Sequence, residues 1–208
     1  GSTPLSWAAG TGHANIVKLL LEKNANINLQ DRDGQTPLLW AAVEGHTEVV
    51  KLLLRQPDVN IKQGDKKKRT PLIWAALKGR KEHIDILRMI MEHTQDSMHY
   101  PDRDGRTALS WAAAHGHERV VKILLEKEDY ARQMDNEGRT PLSWAAEEGH
   151  KVVVEMILHA DRKLHNQDRN ECTLLMWAAR GGNDESVAFF LRKGLDIEAR
   201  DRSGKTAL

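Results

Sequence analysis

The 208-residue sequence has a single cysteine, Cys172, and almost no excess of either charge. One cysteine excludes a disulfide within the chain, so we expect a reducing compartment, the cytoplasm, with the nucleus as a second option. The net charge of +1, from 31 basic and 30 acidic residues, argues against nucleic-acid binding over the whole surface. No apolar run approaches the roughly 18 residues that span a bilayer, so we expect no membrane partner.

Aromatic residues are also scarce, with two Phe and two Tyr, but six Trp recur at one phase of a repeat: Trp7, Trp40, Trp74, Trp111, Trp144 and Trp177. Each stands four residues after a Thr. With a seventh Thr, the spacings are 33, 34, 37, 33, 33 and 33 residues: Thr3, Thr36, Thr70, Thr107, Thr140, Thr173 and Thr206. Such a period predicts a linear array of stacked units, so function is expected on an extended surface rather than in a pocket.

The unit that begins at Thr36 shows the expected local structure. Thr36 suits the N-cap of a helix and Pro37 its first position, where a missing N–H costs nothing. Small apolar residues follow, and Gly45-His46 ends this short first helix. A second helix is predicted from about Thr47, with an apolar stripe that faces the core. A turn of the form Asp-x-x-Gly then leads to the next Thr.

The order T-P-L-x-x-A-A, then G-H, then an I/V-V-x-x-L-L-L run resembles the ankyrin repeat, most clearly at 36–46 and 140–150. The resemblance covers the whole chain and implies an all-α fold: an ankyrin-repeat solenoid of stacked helix-turn-helix units with projecting β-turn hairpins. We expect one domain over 1–208, as an excerpt of a longer array in which Gly1-Ser2 is a cloning remnant. The predicted repeats are 3–35, 36–69, 70–106, 107–139, 140–172 and 173–205, with a partial repeat at 206–208. The variant T-P-L-S-W-A-A is similar to arrays in filamentous-fungal proteins.

Three departures from the family pattern carry expectations. The His that usually follows T-P-L is replaced in every copy, so its hydrogen bond near the Thr should be lost or taken over by Ser where Ser is present. The turns at 65–69 and 168–171 lack their Gly, and we expect both hairpin tips to be distorted. The third repeat has its extra residues between Ile90 and Pro101, which predicts a longer second helix or a bulged loop.

A helical wheel places each Trp opposite the face that meets the second helix of its own unit. In one interpretation each indole fills the space between neighbouring first helices and serves stability. In the other, exposed indole edges are anchors for a partner. The two are compatible, since a Trp can bury one face and offer the other. The candidate anchors are Trp40, Trp74, Trp111 and Trp144, with Lys78 and His115 four residues after two of them.

Basic residues form a second candidate set. Arg69, Arg106 and Arg139 each stand directly before a Thr, and Lys66, Lys67 and Lys68 precede the first of them. One interpretation is a solvated edge that pairs with acidic residues of the same turns. The other is docking of an acidic or phosphorylated segment through bidentate Arg contacts. A nuclear-import signal at 66–69 is a further option.

The patterns of catalytic and metal sites are incomplete. The run 203–206 imitates the end of a phosphate loop without its first Gly, and the Asp-rich turns resemble calcium loops without the closing Glu. Most His residues recur at the G-H phase, and no nucleophile stands beside a base. We therefore expect no enzyme activity, no cofactor and no metal.

The leading hypothesis is a non-catalytic protein-protein interaction module. It would bind a partner protein or peptide, including an acidic one, on a concave groove and the hairpin tips, and would be monomeric as an isolated array. The alternative is nucleotide or short-RNA binding through the Trp residues and the Arg/Lys rim, although the charge balance argues against nucleic acid. A purely structural spacer is a third hypothesis.

Overall fold

The computed structural model describes residues 1–93, 100–126, 130–160 and 167–207. These ranges fold into pairs of α-helices, which confirms the predicted all-α, helix-turn-helix class. The first helices of the pairs are α1 Pro4–Gly10, α3 Pro37–Glu44, α5 Pro71–Lys78, α7 Ala108–Ala114, α9 Pro141–Glu147 and α11 Leu174–Arg180. The second helices are α2 Ala14–Glu22, α4 Thr47–Leu54, α6 Lys81–His93, α8 Glu118–Leu125, α10 Lys151–Ala160 and α12 Asp184–Arg192.

The chain forms two compact units, Gly1–Arg103 and Asp104–Leu208. In the first unit, α1 packs on α3 and α3 on α5, while α2 packs on α4 and α4 on α6. In the second unit, α9 lies between α7 and α11, and α8 packs on α10. A short 3-10 helix, Tyr130–Arg132, contacts α8 and α9. Each unit therefore has a layer of first helices against a layer of second helices.

Each first helix begins at its Thr, as the sequence predicts. The Thr hydroxyl accepts the backbone N–H three residues later at 3.0–3.3 Å in all six copies. Where Ser is present, its hydroxyl also meets the Thr hydroxyl, at 2.9 Å for Ser6, 3.2 Å for Ser110 and 3.0 Å for Ser143. Ser thus takes over a hydrogen bond near the Thr, as expected. The Ala pairs that follow are buried in the first five copies, and in the sixth Ala178 is buried and Ala179 half-buried, which allows close helix packing.

Helix α4 buries its apolar stripe, Val49, Val50, Leu53 and Leu54, whereas α2 buries Val17 alone. Helix α6 has 13 residues, against eight in both α4 and α8. The predicted lengthening of the third repeat is confirmed for this helix. The rest of the extra sequence, 94–99, lies outside the described residues.

The hairpins without Gly keep the geometry of the others. Lys68 and Glu171 adopt φ of 59° and 62°, beside values of 79° for Gly34 and 86° for Gly138 at the same phase. Their N–H groups also make the same turn hydrogen bond, to Asp65 O at 2.7 Å and Asp168 O at 3.1 Å. The prediction of two distorted tips is wrong. The turn forces a left-handed backbone on residues with a Cβ instead of changing its shape.

Neighbouring hairpins are joined by backbone hydrogen bonds within each unit. In the first unit, Lys66 N–H donates to Asp33 O at 3.0 Å and Arg103 N–H to Lys67 O at 2.7 Å. In the second unit, Asn136 N–H donates to Asp104 O at 3.0 Å. Bonds of this kind require one backbone shape at every tip, which explains why Lys68 and Glu171 conform.

Candidate functional site

Four of the six Trp side chains reach from a first helix to the hairpin before it, where the ring nitrogen bonds to the same position of the turn. Indole Nε1–H donates to the Oδ2 of the Asp nine residues earlier in four of the repeats. The distances are 2.8 Å for Trp40–Asp31, 3.2 Å for Trp74–Asp65, 3.0 Å for Trp144–Asp135 and 3.2 Å for Trp177–Asp168. The other oxygen of each Asp accepts two backbone N–H groups of its turn. Each of these indoles therefore ties its helix to its hairpin.

In the second unit, Arg and Trp alternate in one continuous arrangement, which we call the Trp-Arg stack: Trp111, Arg106, Trp144, Arg139, Trp177 and Arg180. The guanidinium carbon of Arg106 lies 4.9 Å from the ring centroid of Trp111 and 3.6 Å from that of Trp144. That of Arg139 lies 4.2 Å from Trp144 and 3.9 Å from Trp177. Arg180 covers Trp177 at 5.2 Å. Cation-π contacts of this kind contribute about 0.5–2 kcal/mol each, depending on desolvation.

Arg139 is the most enclosed cation of the stack, with 5% of the residue exposed. Its Nη1 donates to Oε2 of Glu147 at 2.6 Å, and Nε lies 3.5 Å from Glu137. The second oxygen of Glu147 lies 3.4 Å from Nε of Arg180. Glu147 thus joins two arginines of the stack, and the buried charge of Arg139 is balanced by a carboxylate.

In the first unit, the cations gather on Trp74. Arg69 lies 4.1 Å from its ring centroid and makes a 2.7 Å ion pair with Asp65, and Lys78 lies 5.7 Å from the same ring. Gln35 stands at the phase of the arginines and has a buried Oε1 without a hydrogen-bond partner. The described residues place no cation over the ring of Trp7 or Trp40.

The candidate residues differ in exposure. Trp40, Trp74 and Trp111 are half-buried, whereas Trp144 is only 8% exposed. Arg69, Arg106 and Lys78 are half-buried, and His115 is exposed. The His115 ring lies 5.8 Å from both Trp111 and His117, and its Nδ1 lies 3.0 Å from Trp111 O. In each unit, we call the solvent-facing side of the first helices its first-helix face. That of the first unit includes Trp7, Trp40, Trp74 and Lys78, and that of the second unit includes Trp111 and His115.

The hairpin tip of the second repeat is the most basic exposed segment of the first unit. Lys66, Lys67 and Lys68 are all exposed, and Nζ of Lys66 lies 3.9 Å from Oδ1 of Asp33. Their backbone is held by the neighbouring hairpins, so the three ammonium groups are displayed on an ordered turn.

Two functional pairings were not predicted from the sequence: the Asp partners of the indoles, and the insertion of Arg between indoles of successive repeats. A signal for the first existed, because an Asp stands five residues before each Thr from Thr36 onward. The second had a weaker signal, the Arg directly before three consecutive Thr.

Cys172 stands at the phase of Arg69, Arg106 and Arg139, and it is a free thiol. Burial, followed by the carboxylates of Asp168 and Asp201, raises its pKa to about 11. The thiol therefore stays protonated at neutral pH, which keeps it unreactive.

The described ranges contain no group of three or more His, Cys, Asp or Glu side chains arranged to hold a metal. Within the same ranges, none of the helices combines the length and the apolar character needed to cross a membrane.

Comparison with protein families agrees with this architecture. The family described as ankyrin repeats matches in three overlapping copies, at residues 1–63, 56–134 and 81–168, and a single ankyrin repeat matches at 170–202. No curated protein gives a significant match. Ankyrin repeats are generally protein-protein interaction modules and are typically non-catalytic. Because the matches extend over nearly all of the 208 residues, the chain belongs to the ankyrin repeat family.

Proposed function

We propose that this chain is a non-catalytic interaction module that binds a partner protein or peptide on its first-helix face and on its basic hairpin tip. The observation that carries the proposal is the set of half-buried indoles beside cationic or imidazole side chains. Trp74 lies beside Arg69 and Lys78, and Trp111 beside Arg106 and His115. Trp and Arg are the residues most enriched among those that dominate binding energies.

Rigidity supports the same proposal. The indole-Asp bonds and the Trp-Arg stack hold the aromatic edges in place before any partner arrives. A preformed surface loses little side-chain entropy on binding, so more of the contact energy remains as affinity. Trp144 fits a supporting role in this scheme, because it is enclosed between Arg106 and Arg139 and leaves little area for direct contact.

An acidic segment is the partner that the hairpin tip favours. Lys66, Lys67 and Lys68 project three positive charges from one ordered turn, and Arg69 behind them is already paired with Asp65. Contacts to exposed lysines are weak one by one and are screened by salt. We therefore expect the tip to orient the partner and the indole edges to supply most of the affinity.

Site-specific photo-crosslinking tests the proposal. A photoreactive residue is placed at Lys78 or His115, on the first-helix face, and at Lys51 or Lys122, which are exposed on second helices of the same two units. We expect the Lys78 and His115 positions to capture the same partner from a cell extract, and the Lys51 and Lys122 positions to capture it much less. Equal capture at all four positions would refute a first-helix interface.

A second candidate, binding of short RNA, is favoured by one observation. His115 stacks with His117 at an interplanar angle of 22°, beside Trp111. Aromatic surfaces with nearby Arg accept nucleobases by stacking. Titration of intrinsic Trp fluorescence with short oligonucleotides at moderate salt tests this candidate, and an unchanged signal at saturating RNA would remove it.

A further inference from the structure

The basic hairpin tip differs from the other hairpins at two positions of its turn. The turn runs from Asp65 to Lys68, and its third and fourth positions are Lys67 and Lys68. In the other five hairpins the third position is acidic or uncharged: Asp33, Asp104, Glu137, Asn170 and Ser203. The fourth position is Gly in four of them and Glu in one: Gly34, Gly105, Gly138, Gly204 and Glu171. This hairpin alone therefore has a basic residue at both positions.

The two lysines change the charge of the turn. The equivalent three positions of the first hairpin, 32–34, carry no net charge, whereas 66–68 carry three positive charges. Asp33 of the first hairpin lies 3.9 Å from Nζ of Lys66. The ammonium groups of Lys67 and Lys68 make no ion pair with any side chain of the described ranges. The tip thus presents two adjacent ammonium groups without a carboxylate of their own.

The next hairpin of the first unit places another basic residue beside these lysines. Arg103 N–H donates to Lys67 O at 2.7 Å, so the two residues are neighbours on successive turns. On the other side of the tip, Lys66 N–H makes the equivalent bond to Asp33 O at 3.0 Å. The third turn position therefore supplies a carboxylate next to Lys66, whereas next to Arg103 the same position supplies Lys67.

The backbone N–H groups of this turn are already used by the protein. Lys67 N–H donates to Oδ1 of Asp65 at 2.9 Å, and Lys68 N–H donates to Asp65 O at 2.7 Å. Because Lys66 N–H is bonded to Asp33 O, an anion at the tip has to be held by the side chains. Each ammonium group offers three N–H donors on a flexible stem, so two of them can converge on one anionic group.

We propose that Lys67 and Lys68 bind the phosphoryl group of a phosphorylated serine or threonine in a partner segment. This assignment rests on the interaction module proposed above, in which the tip orients an acidic partner. A phosphate monoester carries a charge of about −1.5 to −2 and three acceptor oxygens at a single point. That charge matches the two ammonium groups of adjacent residues. A carboxylate carries one charge, so a peptide needs two separate acidic side chains to neutralise the same pair of lysines.

The test is a titration of the full ¹⁵N-labelled chain with acetyl-Gly-phosphoserine-Gly amide, followed through the backbone amide signals. We expect saturable shifts at 66–68 and none at the equivalent tip of the second unit, 136–138. The unphosphorylated peptide should produce no saturable shift. Acetyl-Gly-Glu-Glu-Gly amide, which also carries two negative charges, should bind at least about threefold more weakly. Equal affinity for the two charged peptides, or no saturable binding of the phosphoserine peptide, would overturn the proposal.

Other sources of phosphate are outcomes of the same titration. A short single-stranded RNA and vesicles that contain a phosphatidylinositol phosphate replace the peptide at equal phosphate concentration. We expect weaker shifts at Lys67 and Lys68 with both, because their phosphates are not presented on an extended peptide that can also contact the first-helix face. Tighter binding of the RNA or of the vesicles would overturn the assignment to a phosphorylated protein segment.

Substitutions that restore the residues of the other hairpins provide the variants. Lys67→Asp introduces the acid that the first hairpin has at Asp33 and should abolish the saturable shifts. Lys68→Gly removes the second ammonium group and should weaken binding about fivefold. Lys51→Asp makes the same charge change at an exposed position of α4 in the same unit and should leave the affinity within about twofold. Retained binding in Lys67→Asp, or an equal loss in Lys51→Asp, would contradict the site.

Failure of the phosphate site and failure of the interaction module give different results. Photo-crosslinking at Lys78 and His115 reports on the first-helix face and does not involve the lysines of the tip. If the phosphoserine peptide does not bind while these two positions still capture the partner, the phosphate site is wrong and the module stands. If the peptide binds while all four crosslinking positions capture equally, the first-helix interface is wrong and the phosphate site stands.

Discussion

At the residue scale, two sequence features that look separate form one structure. The periodic Trp and the Arg directly before three consecutive Thr are interpreted from sequence as a groove and a basic edge. In the second unit they alternate within the Trp-Arg stack, with guanidinium-to-ring distances of 3.6–5.2 Å. The structure therefore separates the Trp copies by their exposure. Trp144 is enclosed, while Trp7 and the half-buried indoles keep solvent-facing edges.

Replacing the central arginine tests the contribution of the stack. Arg139→Gln removes the cation between Trp144 and Trp177 and leaves Glu147 without its 2.6 Å partner. We expect a loss of about 3 kcal/mol in the free energy of unfolding, because one member of a largely buried ion pair is deleted along with two cation-π contacts. The measurement is urea unfolding. The control is Arg202→Gln, an exposed pair with Glu171 that should change stability by less than about 0.5 kcal/mol.

A buried hydroxyl without a partner gives a stabilising substitution. Ser186 of α12 is 2% exposed, and its Oγ makes no hydrogen bond. Ser186→Ala should raise the free energy of unfolding by about 1 kcal/mol, since the penalty of burying an unpaired hydroxyl disappears. Ser143→Ala is the matched control and should lower it by about the same amount, because Ser143 bonds to Thr140 at 3.0 Å. Thermal unfolding of both variants gives the comparison, and the same sign for both would contradict it.

The thiol of Cys172 should react slowly. With its pKa raised to about 11 by burial and the nearby carboxylates, the thiolate is scarce at pH 8. We expect alkylation by iodoacetamide to be about a hundredfold slower than for a small-molecule thiol at that pH, and to rise with pH up to about 11. Asp201→Asn should accelerate the reaction. A normal rate at pH 8 in the folded chain, equal to that in urea, would show that the thiol is not perturbed.

At the scale of single elements, the hairpins show how tertiary contacts override a local preference. Lys68 and Glu171 hold φ values that are costly for residues with a Cβ, yet both turns match the Gly-containing ones. The free energy that offsets this cost comes from the backbone hydrogen bonds between neighbouring tips, such as Arg103 N–H to Lys67 O at 2.7 Å. Because the hairpins are bonded to one another, each turn keeps its shape and the residue without a Gly takes up the strain.

Substitutions at the turn position with positive φ should raise the free energy of unfolding at some hairpins and lower it at others. Lys68→Gly and Glu171→Gly should each stabilise the chain by about 0.5 kcal/mol, because the relief of left-handed strain exceeds the added chain entropy. Gly138→Ala should destabilise it by about 2 kcal/mol, since φ is 86° and the new Cβ would lie 2.5 Å from the Cβ of Arg169. Chemical denaturation of the three variants checks these values. A loss of stability in Lys68→Gly would contradict the strain argument.

At the scale of the whole molecule, the repeats bury their faces unequally. Helix α2 has only Val17 fully buried, and Ile16 and Leu19 are 48% and 56% exposed. Helix α4, one repeat later, buries four apolar side chains. In an array where each repeat is stabilised by its neighbours, such a repeat has the weakest coupling to the rest.

Hydrogen exchange should therefore resolve the first repeat from the second. We expect the amides of α1 and α2 to exchange through local opening, at free energies below those of α3 and α4. Native-state exchange at several urea concentrations measures both. If both helix pairs exchanged with the free energy of global unfolding, the first repeat would be as stable as the second.

The local rules of the repeat were predictable from sequence because they act within a few residues. Thr36 and its equivalents cap helices, Gly45 ends one, and the apolar stripe of α4 is buried, as the pattern indicates. The takeover of a hydrogen bond by Ser143 also follows from residues only three positions apart. The shape of the hairpins at Lys68 and Glu171 did not follow, because it depends on bonds to a neighbouring repeat.

What the sequence by itself determined is the family, the Thr at which each first helix begins and the phase at which every Trp occurs, since a period of about 33 residues leaves little freedom within one unit. Only the tertiary structure decided what those phases do. Arg139 lies over the ring of Trp177, which is 38 positions further along the sequence. Such contacts exist only after repeats pack, because burial between neighbouring units makes one indole structural and leaves another open.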